Sequence, residues 1–148
     1  MKKINREATK IIIGLLLQLG DQPEIDIWVP LHNTLRMQKK EPIGTTEGDG
    51  YLLAVGTILP GHEGKFDYCM HFIVVDQRKA TGIKLDVLVF PVSTVDERNN
   101  VEEHAVRMEG GMIKAVSLHY QRGMANQAYH WLLELKTAGY LKMSRKKS

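Results

Sequence analysis

Two segments of strand length, residues 66–76 and 85–92, are apolar on both of the faces that an extended chain presents. The first segment interleaves two sets of side chains: Tyr68, Met70, Phe72 and Val74 on one face, and Cys69, His71, Ile73 and Val75 on the other. Strands of this kind lie in the middle of a sheet that is covered on both sides. The sequence leaves three ways to cover them: helices on opposite faces, a sheet that curls on itself, or a second subunit.

Helical patterns occur near the two ends of the chain. Between Asn5, a residue type that favours the N-cap, and Gly20, a typical helix end, apolar residues recur at helical spacing. Ile13 and Leu17 lie outside that stripe, so we expect this helix to be buried on most sides. Residues 124–138 carry a second apolar stripe and predict the C-terminal helix.

The segment after the first helix alternates in polarity and predicts an antiparallel hairpin of residues 24–29 and 34–38. Four apolar residues are expected on its inner face: Ile25, Ile27, Val29 and Leu31. Residues 41–50 are rich in turn-forming residues, and the glycine-rich stretch 44–50 predicts a mobile turn, whereas 51–59 predict a further strand.

Two more connections can be assigned from the sequence. Residues 77–82 form a polar loop of hairpin length, and the pair Gly110-Gly111 predicts a tight hairpin because both glycines accept positive φ. The segment 101–109 fits a strand or a helix. The resulting fold class is α+β: a single, mainly antiparallel sheet of about six or seven strands, packed by an N-terminal and a C-terminal helix.

We expect one domain over residues 1–141, followed by a basic tail over residues 142–148. The chain of 148 residues has a net charge of +3, yet residues 11–141 carry 12 basic and 16 acidic side chains. Positive charge is therefore concentrated at the ends. The cations of the tail are Lys142, Arg145, Lys146 and Lys147. Such a tail is either solvated or a source of weak, non-specific nucleic-acid binding through phosphate contacts.

No residue of the chain is predicted to be catalytic, to bind a cofactor or to ligate a metal. The six histidines lie in six different segments, without the spacing of a metal site. Cys69 and His71, with Asp67 nearby, form the one compact candidate for a small-molecule or enzymatic site. Cys69 lies mid-strand among apolar residues, which predicts an inert, buried thiol. A non-enzymatic interaction or accessory protein is therefore the leading hypothesis.

The single cysteine excludes an intramolecular disulfide and fits a reducing compartment. No apolar run approaches the roughly 20 residues that cross a bilayer. We therefore expect a soluble, cytoplasmic protein without membrane contact. A protein partner or a homodimer could cover an apolar face of the sheet.

Two segments show resemblances to known families. Residues 125–141, which end in Gly-Tyr-Leu, resemble the recognition helix and first wing strand of winged-helix domains, although strands occupy the region before them. Residues 50–141 resemble an uncharacterised domain family of bacterial plasmids, conjugative elements and phages. The strand 64–75 and the closing helix before Gly139-Tyr140 carry this second resemblance. It implies an accessory protein of a mobile element and assigns no catalytic residue.

Overall fold

The computed structural model describes residues 1–142, which form three helices and eight strands. The helices are α1 (Arg6–Leu19), α2 (Arg78–Thr81) and α3 (Leu118–Ala138). The strands are β1 (Glu24–Ile27), β2 (Leu35–Thr45), β3 (Gly48–Leu59), β4 (His62–Asp76), β5 (Val87–Asp96), β6 (Val101–His104), β7 (Val106–Glu109) and β8 (Met112–Val116). The predicted α+β class with one mainly antiparallel sheet is confirmed.

The sheet has the strand order β6-β5-β4-β3-β2-β8-β7, with β1 paired to β2. Strands β2 to β5 form an antiparallel meander, whereas β8 meets β2 in a short parallel pairing of Gly44 with Met112. β6 and β7 lie at the two ends of this order, yet only Ala105 separates them in sequence. The Ala105 N–H donates to the Val92 carbonyl of β5 over 2.8 Å. The sheet therefore curls back on itself.

Helices α1 and α3 pack against each other on one face of the sheet. The Tyr68 ring of β4 meets the Trp131 ring of α3 edge to face, with centroids 5.1 Å apart. On the other face of the sheet, Ile73, Val75 and Phe90 are also buried within the single chain. Of the three arrangements left open by the sequence, the curled sheet is the one observed.

Helix α1 has the predicted ends. The Asn5 side chain accepts a hydrogen bond from the Ala8 N–H over 2.8 Å, and Gly20 ends the helix with φ of 58°. Ile13 is buried as expected, but the expectation for Leu17 is wrong, because its side chain is exposed. Leu17 lies outside the buried core to which the other large apolar residues of α1 belong.

Helix α3 begins at Leu118, about six residues before the predicted start. Its N-cap is Ser117, whose side chain accepts from the Tyr120 N–H. The first two turns lack an apolar stripe because Gln121 occupies the buried position. The Gln121 side chain donates to the Pro91 carbonyl over 3.0 Å and accepts from the Lys2 N–H over 2.6 Å. This long-range pairing cannot be read from local periodicity.

Some of the predicted connections are confirmed by the structure and others are wrong. Residues 44–50 are not a mobile turn, because β2 and β3 extend into them and join in a tight hairpin at Thr45–Gly48. Residues 77–82 contain the single helical turn α2, and 101–109 are strands. Gly110 and Gly111, with φ of 60° and 76°, confirm the predicted hairpin.

The β1–β2 hairpin is confirmed, with Ile25, Ile27 and Val29 buried. The expectation for Leu31 is wrong. A β-turn in which the His32 N–H donates to the Val29 carbonyl places Leu31 at φ of 66° and directs its side chain into solvent. No helix among residues 1–142 is both long and apolar enough to cross a membrane.

Candidate functional site

A groove of about 950 Å³ opens on the helical side of the sheet, beside the C-terminal half of α1. Its α1 side is formed by Ile13, Leu16, Leu17 and Leu19, and by Gly20 where the helix ends. Of these, Ile13, Leu16 and Leu17 follow i, i+3 and i+4 and therefore lie along one face of the helix. The remaining lining comes from Asp21, β2, β3, the end of β4, α2 and the segment between α2 and β5.

Several aliphatic side chains of this groove are open to solvent. Leu17 is 70% exposed, Ile83 59% and Leu85 42%. Scattered exposed leucines are ordinary on a protein surface, whereas apolar side chains gathered in a concave site characterise a binding surface. A volume of 950 Å³ lies within the range of ligand-binding clefts. The groove is therefore the candidate functional site.

One ion pair is fixed in the lining. The Arg78 guanidinium donates two hydrogen bonds to the Asp76 carboxylate, of 2.9 Å from Nε and 2.7 Å from Nη2. The hydrogen bonds from Arg78 lower the pKa of Asp76 despite its partial burial. These two charges neutralise each other.

Tyr51 presents its ring to the groove beneath a cation. The Lys39 ammonium lies 4.5 Å from the centre of the Tyr51 ring, a cation–π geometry. Burial, followed by the nearby negative charge of Asp76, raises the pKa of Tyr51 to about 12. The phenol is therefore protonated at neutral pH.

The charges that remain are mostly positive. Within the described part of the chain, Lys79 and Lys84 form no ion pair. Together with Lys39 they give three lysines in the lining, against the two carboxylates of Asp21 and Asp49. Because residues 11–141 carry an excess of acidic side chains, this groove is a locally basic surface on an acidic body.

The predicted alternative site around Cys69 and His71 lies on the other face of the sheet. His71 Nδ1 is 3.2 Å from Ser93 Oγ. Burial, followed by the positive charge of Lys40, lowers the pKa of His71, so the ring is neutral at pH 7. Asp67 instead forms an ion pair with Arg98 over 3.0 Å. Among the described residues, no three His, Cys, Asp or Glu side chains come together as a metal site.

Cys69 is a free and buried thiol, as predicted from the sequence. Burial raises its pKa to about 12, which leaves a negligible thiolate fraction at neutral pH. We therefore expect a thiol reagent to label Cys69 in the native protein only as fast as unfolding exposes the thiol. The labelling rate is measured by absorbance at pH 7.5.

The variant Thr137→Cys supplies the matched control, because residue 137 is exposed on α3. Its added thiol should react within seconds, and both thiols should react rapidly in denaturant. Native labelling of Cys69 as fast as that of the introduced thiol would contradict the prediction and restore the Cys69–His71 site as a candidate.

The predicted nucleic-acid contacts lie mostly beyond the described residues. Lys142 is exposed, and Arg145, Lys146 and Lys147 lie outside residues 1–142. Nucleic-acid binding by the tail therefore stays a prediction.

The groove was missed at the level of the sequence because its residues come from separate segments. Ile83 and Leu85, two large apolar residues beside a polar loop, were the available signal. Comparison with known proteins finds no matching family model, curated protein or solved structure.

Proposed function

We propose that this protein is a non-enzymatic interaction protein that holds a partner in the groove beside α1. The exposure of Leu17, Ile83 and Leu85 within one concavity carries this proposal. Burying an aliphatic side chain of this size contributes about 1.5–3 kcal/mol, so a partner that covers all three gains a substantial part of a specific binding free energy.

The ionisable groups of the groove support binding rather than proton transfer. The pKa of Asp76 is lowered and that of Tyr51 is raised to about 12, so each group keeps one protonation state near neutral pH. A general acid or base works best with a pKa close to the operating pH. These two groups are instead suited to fixed electrostatic and hydrogen-bonding roles.

The cellular setting belongs to the same proposal. A lone, buried cysteine is suited to a reducing compartment, which supports a cytoplasmic location. The resemblance of residues 50–141 to a domain family of plasmids, conjugative elements and phages supports an accessory role in a mobile element.

Site-specific photo-crosslinking in the organism that encodes the protein tests this function. A benzophenone amino acid is placed at residue 17 or 83 in the groove, and at residue 118 as the control. Leu118 is exposed but lies outside the groove. We expect a discrete protein adduct from positions 17 and 83 and none from 118.

A second change shows whether the adduct depends on the apolar lining. Leu85→Asp places a charge in the groove without altering the crosslinking position and should abolish the adduct from residue 17. The absence of a groove-specific adduct, or equal adducts from residue 118, would overturn the proposed function.

A further inference from the structure

We propose that the occupant of the groove is an amphipathic α-helix of a protein partner that carries carboxylates beside its apolar face. This inference rests on the proposed function and names the chemistry of the partner. The observations that carry it are the exposed aliphatic side chains beside α1 and the excess of lysines without an ion pair in the lining.

The α1 side of the groove has the shape that a second helix recognises. The part of α1 that lines the groove runs from Ile13 to the helix end at Leu19, which is about 9 Å of helix axis. Gly20 has no side chain, and no atom lies within 4 Å of the place a Cβ would occupy. A helix laid along α1 can therefore approach closely at that end and pack its side chains on Leu17, the exposed leucine of this side.

Further apolar contacts lie beyond α1. Ile83 and Leu85 line the same groove and are exposed. A partner helix with leucine-like residues at i, i+3, i+4 and i+7 would present one continuous apolar stripe to Leu17, Ile83 and Leu85. This is the helix-in-groove mode of peptide recognition.

The charges specify the polar edge of that helix. Arg78 is neutralised by Asp76, which leaves Lys39, Lys79 and Lys84 to meet carboxylates of the partner. Complementary charges of this kind increase specificity and association rate more than affinity. Asp21 and Asp49 lie in the same lining and would repel a uniformly anionic surface such as a nucleic acid or a lipid bilayer. A helix carries separate carboxylates that can avoid them.

The test uses the full chain and two synthetic helical peptides of about four turns. Both peptides carry leucine at i, i+3, i+4 and i+7; one has glutamate on the flanking positions and the other has lysine. Binding is measured by fluorescence anisotropy. We expect the glutamate peptide to bind about tenfold more tightly than the lysine peptide, with the preference decreasing as salt rises.

Charge reversal in the groove should invert this preference. The double variant Lys79→Glu/Lys84→Glu should favour the lysine peptide, whereas Lys114→Glu, an exposed position on β8 outside the groove, should keep the original order. Circular dichroism confirms that each variant is folded. Equal binding of both peptides, or an unchanged preference in the double variant, would overturn the inference.

Two other occupants are tested alongside. Binding to vesicles of phosphatidylglycerol without a peptide preference would assign the groove to an anionic membrane surface and overturn the helix. If the protein self-associates and Leu17→Asp abolishes that association, the groove binds a second copy of the chain, and the partner helix is likewise overturned. If neither peptide binds while residues 17 and 83 still crosslink to a protein, the helical partner is wrong and the proposed function stands. If crosslinking also fails, the helical partner and the proposed function are both wrong.

Discussion

Replacement of Leu16 by aspartate is expected to destabilise the protein by several kcal/mol, whereas the same replacement at Leu17 should leave the free energy of unfolding almost unchanged. Leu16 is 5% exposed and Leu17 is 70% exposed. A carboxylate at position 16 would be buried without a partner, which typically costs about 3–5 kcal/mol. That is a large share of the 5–15 kcal/mol that stabilises a typical domain.

The two variants form a matched pair, because they share the helix, the new residue and the change in net charge. Urea unfolding monitored by circular dichroism measures both free energies. Leu132→Asp repeats the test on α3, where Leu132 is fully buried. If Leu16→Asp melts within a degree or two of the unaltered protein, α1 does not pack as described.

A single methyl group at Gly56 is the second change expected to have a large effect. A Cβ built there would lie 2.5 Å from Phe66 Cδ1 and 2.5 Å from the Tyr68 carbonyl oxygen, and 3.0 Å from Cys69 Cα. Two of these atoms belong to the backbone of β4, beside an irregularity in the β3–β4 register. Because a central strand cannot move aside, we expect Gly56→Ala to cost about 3 kcal/mol.

Gly123→Ala provides the control for this experiment. Gly123 lies within α3, and no atom is within 4 Å of its added Cβ. Alanine there should stabilise the helix by about 0.5–1 kcal/mol, since glycine is a poor helix former. Trimming Phe66 to alanine in the Gly56→Ala background should recover only part of the loss, because the backbone contacts remain. If Gly56→Ala unfolds with the same urea midpoint as the unaltered protein, the close approach of β3 and β4 is contradicted.

The sequence alone determined the elements whose signals are local. Asn5 and Gly20 mark the ends of α1, because capping and left-handed backbone depend on the residue at that position. Gly110 and Gly111 likewise fix a hairpin. The two-sided apolar pattern of residues 66–76 identified a central strand, since its side-chain alternation needs no knowledge of its neighbours.

Only the tertiary structure decided which apolar residues are exposed and which charges meet. Leu16 and Leu17 are chemically identical, and they differ because Leu16 belongs to the buried core of the chain and Leu17 does not. The closure of the sheet through Ala105 was equally invisible, since it depends on strands β5 and β2 that are distant in sequence. The groove joins Lys39, Tyr51 and Lys84 from separate segments. Burial and proximity are properties of what packs nearby, and no local pattern contains them.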